Sequence, residues 1–328
     1  MKRLHWLVVG MALAGLVVGC GDDDGGPADS ATDTPMVDTG TVDSGPGGMC
    51  DNTPAMNAAM CPSGMAIPDP GGLMGVCCAR MSNEGRTDAP EFRVSGLRIL
   101  EPTTLSAGLV RSALQDALDE ERFNWLIRIS GADADGDVTI ETGFGSRNAG
   151  ATYSFASGSA PAPGDPNRWD PQTITGTLTG EEIIAPAITN TFTVPILEDD
   201  GVAVVLELPL QAFELNCAAM TENRTCIGQR NGTVYQTEHG SLQTYITVAD
   251  AMMGMVELPP INTSLCNFIA GMASEMGPCT DIAQGEWPVP PNALCTGGTC
   301  SDTCDPASDC NAWRVSGGFS AHGVEITD

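Results

Sequence analysis

The chain has 328 residues, with 42 Asp and Glu against 14 Lys and Arg, and its formal net charge at pH 7 is −28. Proteins that bind nucleic acid neutralise phosphates with clustered Lys and Arg, so this charge balance argues against a nucleic-acid partner. The length suffices for one large or two modest domains, each with its own hydrophobic core.

The first twenty residues, MKRLHWLVVGMALAGLVVGC, have the layout of a secretory signal peptide. Lys2 and Arg3 form a short positive region, and residues 4–19 are an almost unbroken apolar run. A membrane-spanning helix needs about 20 consecutive apolar residues. This run is shorter, so the segment predicts export followed by cleavage after residue 19.

The segment ends in VVGC, which resembles the lipobox of bacterial lipoproteins, where small residues precede a lipidated cysteine. The resemblance covers residues 1–20 alone and implies cleavage before Cys20, acyl chains on that residue, and a membrane as partner. One acyl chain anchors marginally, at about 0.8 kcal/mol per buried CH₂, so several chains give stable attachment. In this family an Asp directly after the cysteine favours the inner membrane, whereas Gly21 here favours the outer membrane. The alternative is an ordinary secreted protein with a coincidental cysteine.

Residues 21–49 contain seven Asp, seven Gly and three Pro but no aromatic or basic residue. Such a composition buries too little apolar surface to offset the loss of chain entropy. We therefore predict a disordered tether over residues 20–49 that begins at the lipidated cysteine. A coil of this length spans on the order of 30 Å, which would hold a folded domain off the bilayer.

Residues 50–80 form a short segment rich in Cys, Met, Gly and Pro. The segment has too few large apolar residues to fold around a core of its own, and two disulfides would substitute for that core. We therefore predict a small Cys-rich module here. An acidic and polar stretch to about residue 90 separates the module from the rest of the chain.

The remaining chain has the pattern of β-structure. Residues 123–130 and 138–141 alternate apolar and polar positions, as expected of strands with one buried face, and the turn between them predicts a hairpin. Residues 204–211 alternate likewise, and Pro209 indicates an edge position or a bulge. Many short strands predict a mainly β domain over residues 90–328, either a β-sandwich or a partly closed barrel. Further strands are predicted at residues 92–100, 151–157, 173–184, 191–197, 232–238, 241–249 and 314–326.

Two amphipathic helices interrupt this pattern, at residues 105–121 and 263–276. Each has one apolar face, which is predicted to pack against the core. Thr263 or Asn262 is the expected N-cap of the second helix. The apolar positions are Leu105, Leu109, Ala113, Leu114, Ala117 and Leu118 in the first helix and Leu265, Phe268, Ile269, Met272 and Met276 in the second.

Thirteen cysteines occur in the chain, and without Cys20 an even number is left. Local groups of even size are typical of disulfides in an oxidising compartment, so the sequence predicts six local disulfides. Within each group of four, three connectivities stay open. Zinc is the alternative for the last group, although its spacings lack the CxxC pairs of common structural zinc sites. The groups are Cys50, Cys61, Cys77 and Cys78; Cys217 and Cys226; Cys266 and Cys279; and Cys295, Cys300, Cys304 and Cys310.

Catalytic motifs are absent from the sequence. HExxH, GxSxG and GxGxxG do not occur, and a phosphate loop or a Schiff base would need a lysine, whereas the single lysine, Lys2, leaves with the signal peptide. His239 follows Glu238, but neighbouring side chains of a strand point to opposite faces, so this acid cannot orient the imidazole. We interpret His239 and His322 as turn residues and assign no catalytic residue.

Asp133, Asp135 and Asp137 form a metal-binding candidate in the predicted hairpin loop. Alternate aspartates can converge hard oxygens on Ca²⁺, as at the start of an EF-hand loop. The twelfth loop position is Phe144 instead of Glu, which excludes an EF-hand and leaves a weaker calcium site. The alternative is a solvated turn that uses the turn preference of Asp and Gly. A second acidic loop contains Asp302, Asp305 and Asp309.

The sequence thus predicts a lipid-anchored envelope or surface protein whose β domain is non-enzymatic. This domain would bind an unidentified protein or glycan, or serve structurally. Two alternatives stay open. An exported hydrolase would need a deep cleft with two acids about 5–10 Å apart. Calcium-assisted adhesion or carbohydrate binding would need an acid-lined loop at one end of the fold.

Overall fold

A computed structural model describes residues 83, 86–148, 152–161, 164–198, 204–220, 224, 226–227, 229–231, 234–237, 240–258, 261–272 and 279–328. The predicted signal peptide, the predicted lipidation site Cys20, the predicted tether and His239 lie outside the described residues. The same holds for the Cys-rich module with Cys50, Cys61, Cys77 and Cys78.

The described residues form seventeen strands and three α-helices, which confirms the mainly β fold class. The helices are α1 (Gly108–Asp119), α2 (Val248–Met253) and α3 (Leu265–Ile269). None of these helices is long and apolar enough to cross a membrane. The strands are β1 (Glu91–Glu101), β2 (Trp125–Ser130), β3 (Gly136–Arg147), β4 (Tyr153–Phe155), β5 (Gln172–Thr179), β6 (Glu182–Ala185), β7 (Phe192–Leu197), β8 (Val204–Ala219), β9 (Cys226–Ile227), β10 (Gln229–Asn231), β11 (Val234–Thr237), β12 (Gly240–Thr247), β13 (Met255–Leu258), β14 (Ile261–Ser264), β15 (Leu294–Thr296), β16 (Thr299–Ser301) and β17 (Ala312–Gly323).

Eight antiparallel strands are paired in a ring. Their order is β12, β17, β1, β2, β3, β5, β6 and β8, and β8 pairs again with β12. Ring closure pairs both edges of these strands over part of their length, which is one way that β-proteins avoid pairing with other chains. Of the two predicted arrangements, the structure therefore has the partly closed barrel.

Strand β8, which has 16 residues, has different partners along its two halves. Its second half pairs with β6 and β12 in the ring, whereas its first half pairs with β7 and β13, and β13 continues to β14. Between Gln211 and Glu214, β8 has one residue more than the facing segment of β12, and Ala212 has a φ of +48°. This extra residue is a β-bulge, shortly after Pro209, and a bulge bends the strand that contains it.

The inner face of the ring carries the hydrophobic core. The ring centroid of Trp125 lies 5.7 Å from that of Phe192 and 5.6 Å from that of Phe213, so the aromatic cluster joins β2, β7 and β8. Aromatic pairs at such separations stabilise beyond the apolar area they bury. The predicted inward positions around β2 are all buried: Phe123, Trp125, Ile127 and Ile129.

The outer face of β2 is covered as well. Leu126 lies on the face that the alternation predicts to be polar, yet it is fully buried against Tyr153, Val324 and Ile326. The backbone N–H of Tyr153 donates to the carbonyl of Glu325 at 2.8 Å. The C-terminal residues thus fold back over β2, which is a long-range contact that the local pattern does not indicate.

Helix α1 begins at Gly108, and Leu109 in its first turn is 54% exposed. Its buried face runs through Val110, Leu114 and Leu118, which are spaced by four residues as expected for one helix face. The prediction that Leu109 faces the core is therefore wrong, because the apolar face is centred on Val110.

The second predicted helix begins later than expected. Asn262 and Thr263 lie in β14, and α3 is capped by Ser264, whose hydroxyl accepts a hydrogen bond from the backbone N–H of Asn267 at 3.1 Å. The predicted caps are wrong, because those residues pair with β13. Helix α2, which the sequence did not indicate, begins after Thr247, and the hydroxyl of this residue caps it.

Among the described residues, three disulfides join Cys266 to Cys279, Cys295 to Cys300, and Cys304 to Cys310. The predicted local pairing is confirmed for these cysteines, and the last group of four pairs in consecutive order. Sulfurs joined in this way are not the thiolates that bind zinc. Cys226 is buried in β9, and the side chain of Cys217 lies outside the description, so the pairing of these two stays a prediction.

Candidate functional site

The interior of the ring holds an apolar cavity of about 10 Å³. Its lining includes Trp125, Phe213 and Phe319. The hydroxyl of Thr142, also in the lining, accepts a hydrogen bond from Trp125 Nε1 at 2.7 Å and donates one to the carbonyl of Leu126 at 3.2 Å. Such a volume holds about one water molecule. The inner face of the ring is therefore packed core, and the candidate site lies on the outer face.

Polar side chains form a row across four neighbouring strands on the outer face. Gln243 of β12 lies opposite Glu214 of β8 on one side and Ser316 of β17 on the other. Ser316 in turn lies opposite Glu101 at the end of β1. Directly opposed residues of antiparallel strands share a face. The pairing therefore brings together four residues that are far apart in sequence.

A second row lies two residues further along the strands. Tyr245 of β12 is opposed by Gln211 of β8 and by Arg314 of β17. Residues i and i+2 of a strand share a face, so the second row lies beside the first. The two rows and the acid that lies against them are called the outer polar cluster: Glu101, Gln211, Glu214, Gln243, Tyr245, Asp302, Arg314 and Ser316.

Arg314 connects two carboxylates of the cluster. Its Nε and Nη2 lie 2.8 and 2.6 Å from Glu101 Oε2, and its Nη1 lies 2.9 Å from Asp302 Oδ2. Burial opposes the charged form of Arg314, but the hydrogen bonds and charges of both acids outweigh burial and raise its pKa. One guanidinium thus joins β17 to β1 and to the segment that follows β16.

Asp302 also binds Tyr245. The hydroxyl of Tyr245 donates to Asp302 Oδ1 at 3.1 Å and accepts a hydrogen bond from Gln243 Nε2 at 2.7 Å. Burial, and after it the negative charge of Asp302, raises the pKa of Tyr245 to about 12. The phenol therefore stays protonated and keeps donating to Asp302 throughout the neutral pH range.

Glu214 is half-buried in the same cluster. Burial raises the pKa of its carboxyl, and the negative charge of Asp302 raises it further. A carboxylate beside another is harder to ionise, because two like charges at close range repel. The cluster thus contains two acids bound by Arg314, which are Glu101 and Asp302, and a third acid, Glu214, whose ionisation is disfavoured.

The β15–β16 hairpin covers part of the outer polar cluster. Its two turn residues, Gly297 and Gly298, both have positive φ, as a type I′ turn requires. Cys295 of the hairpin packs in one cluster with Tyr245. The side chain of Asn311 accepts from the N–H of Cys295 at 2.7 Å and donates to its carbonyl at 2.9 Å. A disulfide and a side-chain clamp thus hold the cover in place.

The three predicted calcium ligands, Asp133, Asp135 and Asp137, are exposed where the chain turns from β2 to β3. Oδ1 of Asp135 accepts a hydrogen bond from the N–H of Gly180 at 2.8 Å, which joins this loop to the turn between β5 and β6. The three carboxylates do not gather within 4.8 Å of one another. The calcium site stays a prediction, and one of its carboxylates makes a contact between turns.

The second acidic loop is also internally bonded. Asp302 belongs to the outer polar cluster, while Asp305 accepts hydrogen bonds from the N–H of Ala307 at 3.0 Å and from the hydroxyl of Ser308 at 2.9 Å, which lower its pKa. Asp309 accepts a hydrogen bond from the N–H of Asp305. Asp309 also lies close to the sulfurs of Cys304 and Cys310. Those two sulfurs form a disulfide, so the group offers one carboxylate and no thiolate.

His322 lies in β17 and is 3% exposed, so its predicted turn position is wrong. It is opposed by Arg93 of β1 and Cys226 of β9. The strand predicted at residues 314–326 includes His322, so at this position the structure agrees with the predicted strand and contradicts the predicted turn.

Glu214, Tyr245 and Arg314 were not identified as site residues from the sequence. Tyr245 and Arg314 lie in segments predicted as strands, but the alternation within a strand does not reveal which distant strand pairs with it. Glu214 follows the bulge, beyond the end of its predicted strand.

Comparison with known proteins gives no relative for this arrangement: no protein-family model, no curated protein and no solved structure matches the chain.

Proposed function

We propose that the chain is an exported, lipid-anchored cell-envelope protein whose β domain is non-enzymatic and binds a protein or glycan partner or serves structurally. Cys20 would carry the lipid, and Gly21 after it favours the outer membrane. The disulfides carry the proposal, because such cross-links form and persist in oxidising compartments outside the cytoplasm.

The bonding of the outer polar cluster supports a structural role for its charges. Arg314 joins two carboxylates, and Asp302 receives hydrogen bonds from both Arg314 and Tyr245. These contacts connect the hairpin segment to strands of the ring. Attachment of the β15–β16 hairpin to the ring is thus a sufficient reason for this arrangement of charges.

The first described residues of the domain are bound to the start of β1. Asn83 donates from Nδ2 to the carbonyl of Glu91 at 2.9 Å and accepts from its N–H at 3.0 Å. Arg86 forms an ion pair with the Glu91 carboxylate at 2.9 Å. From here β1 runs roughly 33 Å to Glu101. Through Glu101, the outer polar cluster therefore lies at the opposite end of β1 from Glu91, where we expect a partner to bind.

The anchor is tested by fractionation of cells that produce the wild type, Cys20→Ala or Gly21→Asp. We expect the wild type in the outer membrane, the Cys20→Ala variant without acyl mass and absent from that membrane, and the Gly21→Asp variant in the inner membrane. Gly21→Asp is the matched control, because it should change the destination and leave lipidation intact. A wild type without acyl mass that fractionates like Cys20→Ala would contradict the anchor.

A second candidate, carboxylate-dependent hydrolysis of an envelope or environmental polymer, is favoured by Glu214 and Asp302. A carboxyl whose pKa is raised by burial and by a neighbouring acid, as at Glu214, is typical of a general acid. Polysaccharide and cell-wall hydrolysis by the purified mature protein would test this. Activity in the wild type and in Asp328→Asn that is lost in Glu214→Gln would support the hydrolase, and no activity in the wild type would exclude it.

A further inference from the structure

Three methionine side chains lie exposed within four residues, where α2 ends and β13 begins. Met252, Met253 and Met255 are exposed by 47%, 80% and 49%. The residues on either side, Ala251 and Val256, are fully buried. These methionines are three of the five large apolar side chains that are exposed in the described part of the chain. The chain thus leaves the core after Ala251, presents three thioethers to solvent, and returns to the core at Val256.

The backbone that carries these methionines is held on both sides. The hydroxyl of Thr247 caps α2 by accepting from the N–H of Asp250 at 3.0 Å. The N–H of Leu265 donates to the carbonyl of Gly254 at 2.9 Å, and β13 is paired with both β14 and β8. A methionine side chain has three rotatable bonds. Its sulfur can therefore adjust to a ligand while the backbone stays in place.

The chemistry of this surface is that of soft, uncharged sulfur. Thioethers bind Cu(I) in preference to hard cations such as Ca²⁺ and Mg²⁺. The cysteine of the neighbouring helix, Cys266, is in a disulfide, and the other two described methionines, Met220 and Met272, are buried. Among the described residues, the exposed methionines are therefore the accessible thioether donors.

The surrounding charge favours a cation. Glu257 follows Met255 by two residues in β13, so the two side chains share a face of the strand, and both are exposed. The chain as a whole carries a formal net charge of −28, which raises the local concentration of cations. A monovalent ion held by neutral sulfurs would thus have a carboxylate beside it.

We propose that Met252, Met253 and Met255 form a binding site for a soft monovalent metal cation, which in the cell would be Cu(I). The three sulfurs supply the ligands, and Glu257 supplies the compensating charge. The site depends on neither the lipid anchor nor the outer polar cluster, and it goes beyond the proposed envelope role.

Silver(I) is the appropriate probe, because it has the same charge and ligand preference as Cu(I) and is not oxidised in air. The mature protein, with disulfides intact and any thiols alkylated, would be titrated with silver nitrate in chloride-free buffer. Methyl resonances of ¹³C-labelled methionine would be followed by NMR. We expect the resonances of Met252, Met253 and Met255 to shift together at equimolar silver, while those of the buried Met220 and Met272 stay in place.

The matched variants separate metal binding from apolar contact. Replacement of all three exposed methionines by leucine keeps the apolar surface and removes the ligands, so we expect silver affinity at this site to fall at least about tenfold, with melting temperature unchanged. Met272→Leu is the control that should bind silver as the wild type does. Unshifted methyl resonances of the three methionines, or equal silver binding by the triple variant, would overturn the proposal.

Discussion

The hydroxyl of Tyr245 and the carboxylate of Asp302 are joined by a hydrogen bond of 3.1 Å, although 57 positions separate them in the sequence. Tyr245 belongs to a strand of the ring, whereas Asp302 follows the disulfide-linked hairpin. The same carboxylate binds Arg314, so it connects the hairpin to two neighbouring strands. The outer polar cluster is thus a fastening between the C-terminal segment and the ring, and its contribution to stability can be measured.

Asp302→Ala should lower the free energy of unfolding by about 1 kcal/mol, because it removes two hydrogen bonds and leaves the partly buried Arg314 and the buried Tyr245 with fewer partners. Urea denaturation measures the change. Asp328→Ala is the control: Asp328 pairs with Arg128 at 2.8 Å, but its side chain is 93% exposed, so the loss should be smaller. Equal losses in the two variants would contradict the fastening role.

Tyr245 should contribute to stability in neutral solution and lose that contribution in alkali. Its ordinary pKa of 10.0 is raised to about 12 in the folded chain, so the folded state favours the protonated phenol. The contribution is complete below pH 10 and is lost as the pH rises towards 12. The difference in unfolding free energy between the wild type and Tyr245→Phe should therefore shrink over this range. A difference that grows with pH would show that the folded state does not raise the pKa of Tyr245.

Glu214 should affect the free energy of unfolding between acidic and neutral pH. Its pKa is raised above the ordinary 4.5, so the folded chain prefers the protonated acid, and stability is lost as the pH rises through the raised pKa. Glu214→Gln cannot ionise and lacks this loss. Denaturation between about pH 4 and pH 7 should show that the free energy of unfolding of the wild type decreases relative to that of Glu214→Gln as the pH rises. An increase in the stability of the wild type relative to the variant over this range would contradict the raised pKa of Glu214.

Gly298 should tolerate alanine less well than its neighbour Gly297. Both residues have positive φ, which costs a side chain about 1 kcal/mol. A Cβ at Gly298 would in addition press into the carbonyl of Thr189, whereas a Cβ at Gly297 would meet nothing within 4 Å. Thermal unfolding should therefore show a distinctly larger loss for Gly298→Ala. Equal losses would mean that the hairpin does not pack against Thr189.

The local elements of the ring could be predicted from the sequence because each face of a strand meets a uniform environment. Trp125 and Ile129 alternate with polar residues, and both face the core. Leu126 breaks the pattern because the C-terminal residues cover its face of the strand. Local sequence does not indicate a contact with residues that are about 200 positions away. The same limit applies to α2, whose capping residue Thr247 continues a strand pattern without interruption.

The outer polar cluster could not be predicted, because it exists only through the register of strand pairs. Gln243 lies opposite Glu214 on one neighbouring strand and opposite Ser316 on the other. This register is set by the bulge in β8 and by the pairing of β8 with β12 that closes the ring. Neither feature leaves a trace in the alternation of a single strand. The cysteine groups were more informative, because a short disulfide loop is a local property of the chain.

The intact mass of the native protein, isolated from the membrane fraction without reduction, tests the central claim most directly. The account predicts a chain that begins at Cys20, carries the added mass of acyl groups, and is lighter by two hydrogens for each disulfide among its other cysteines. A chain that retains its initiator methionine and reacts fully with a thiol reagent before reduction would contradict it.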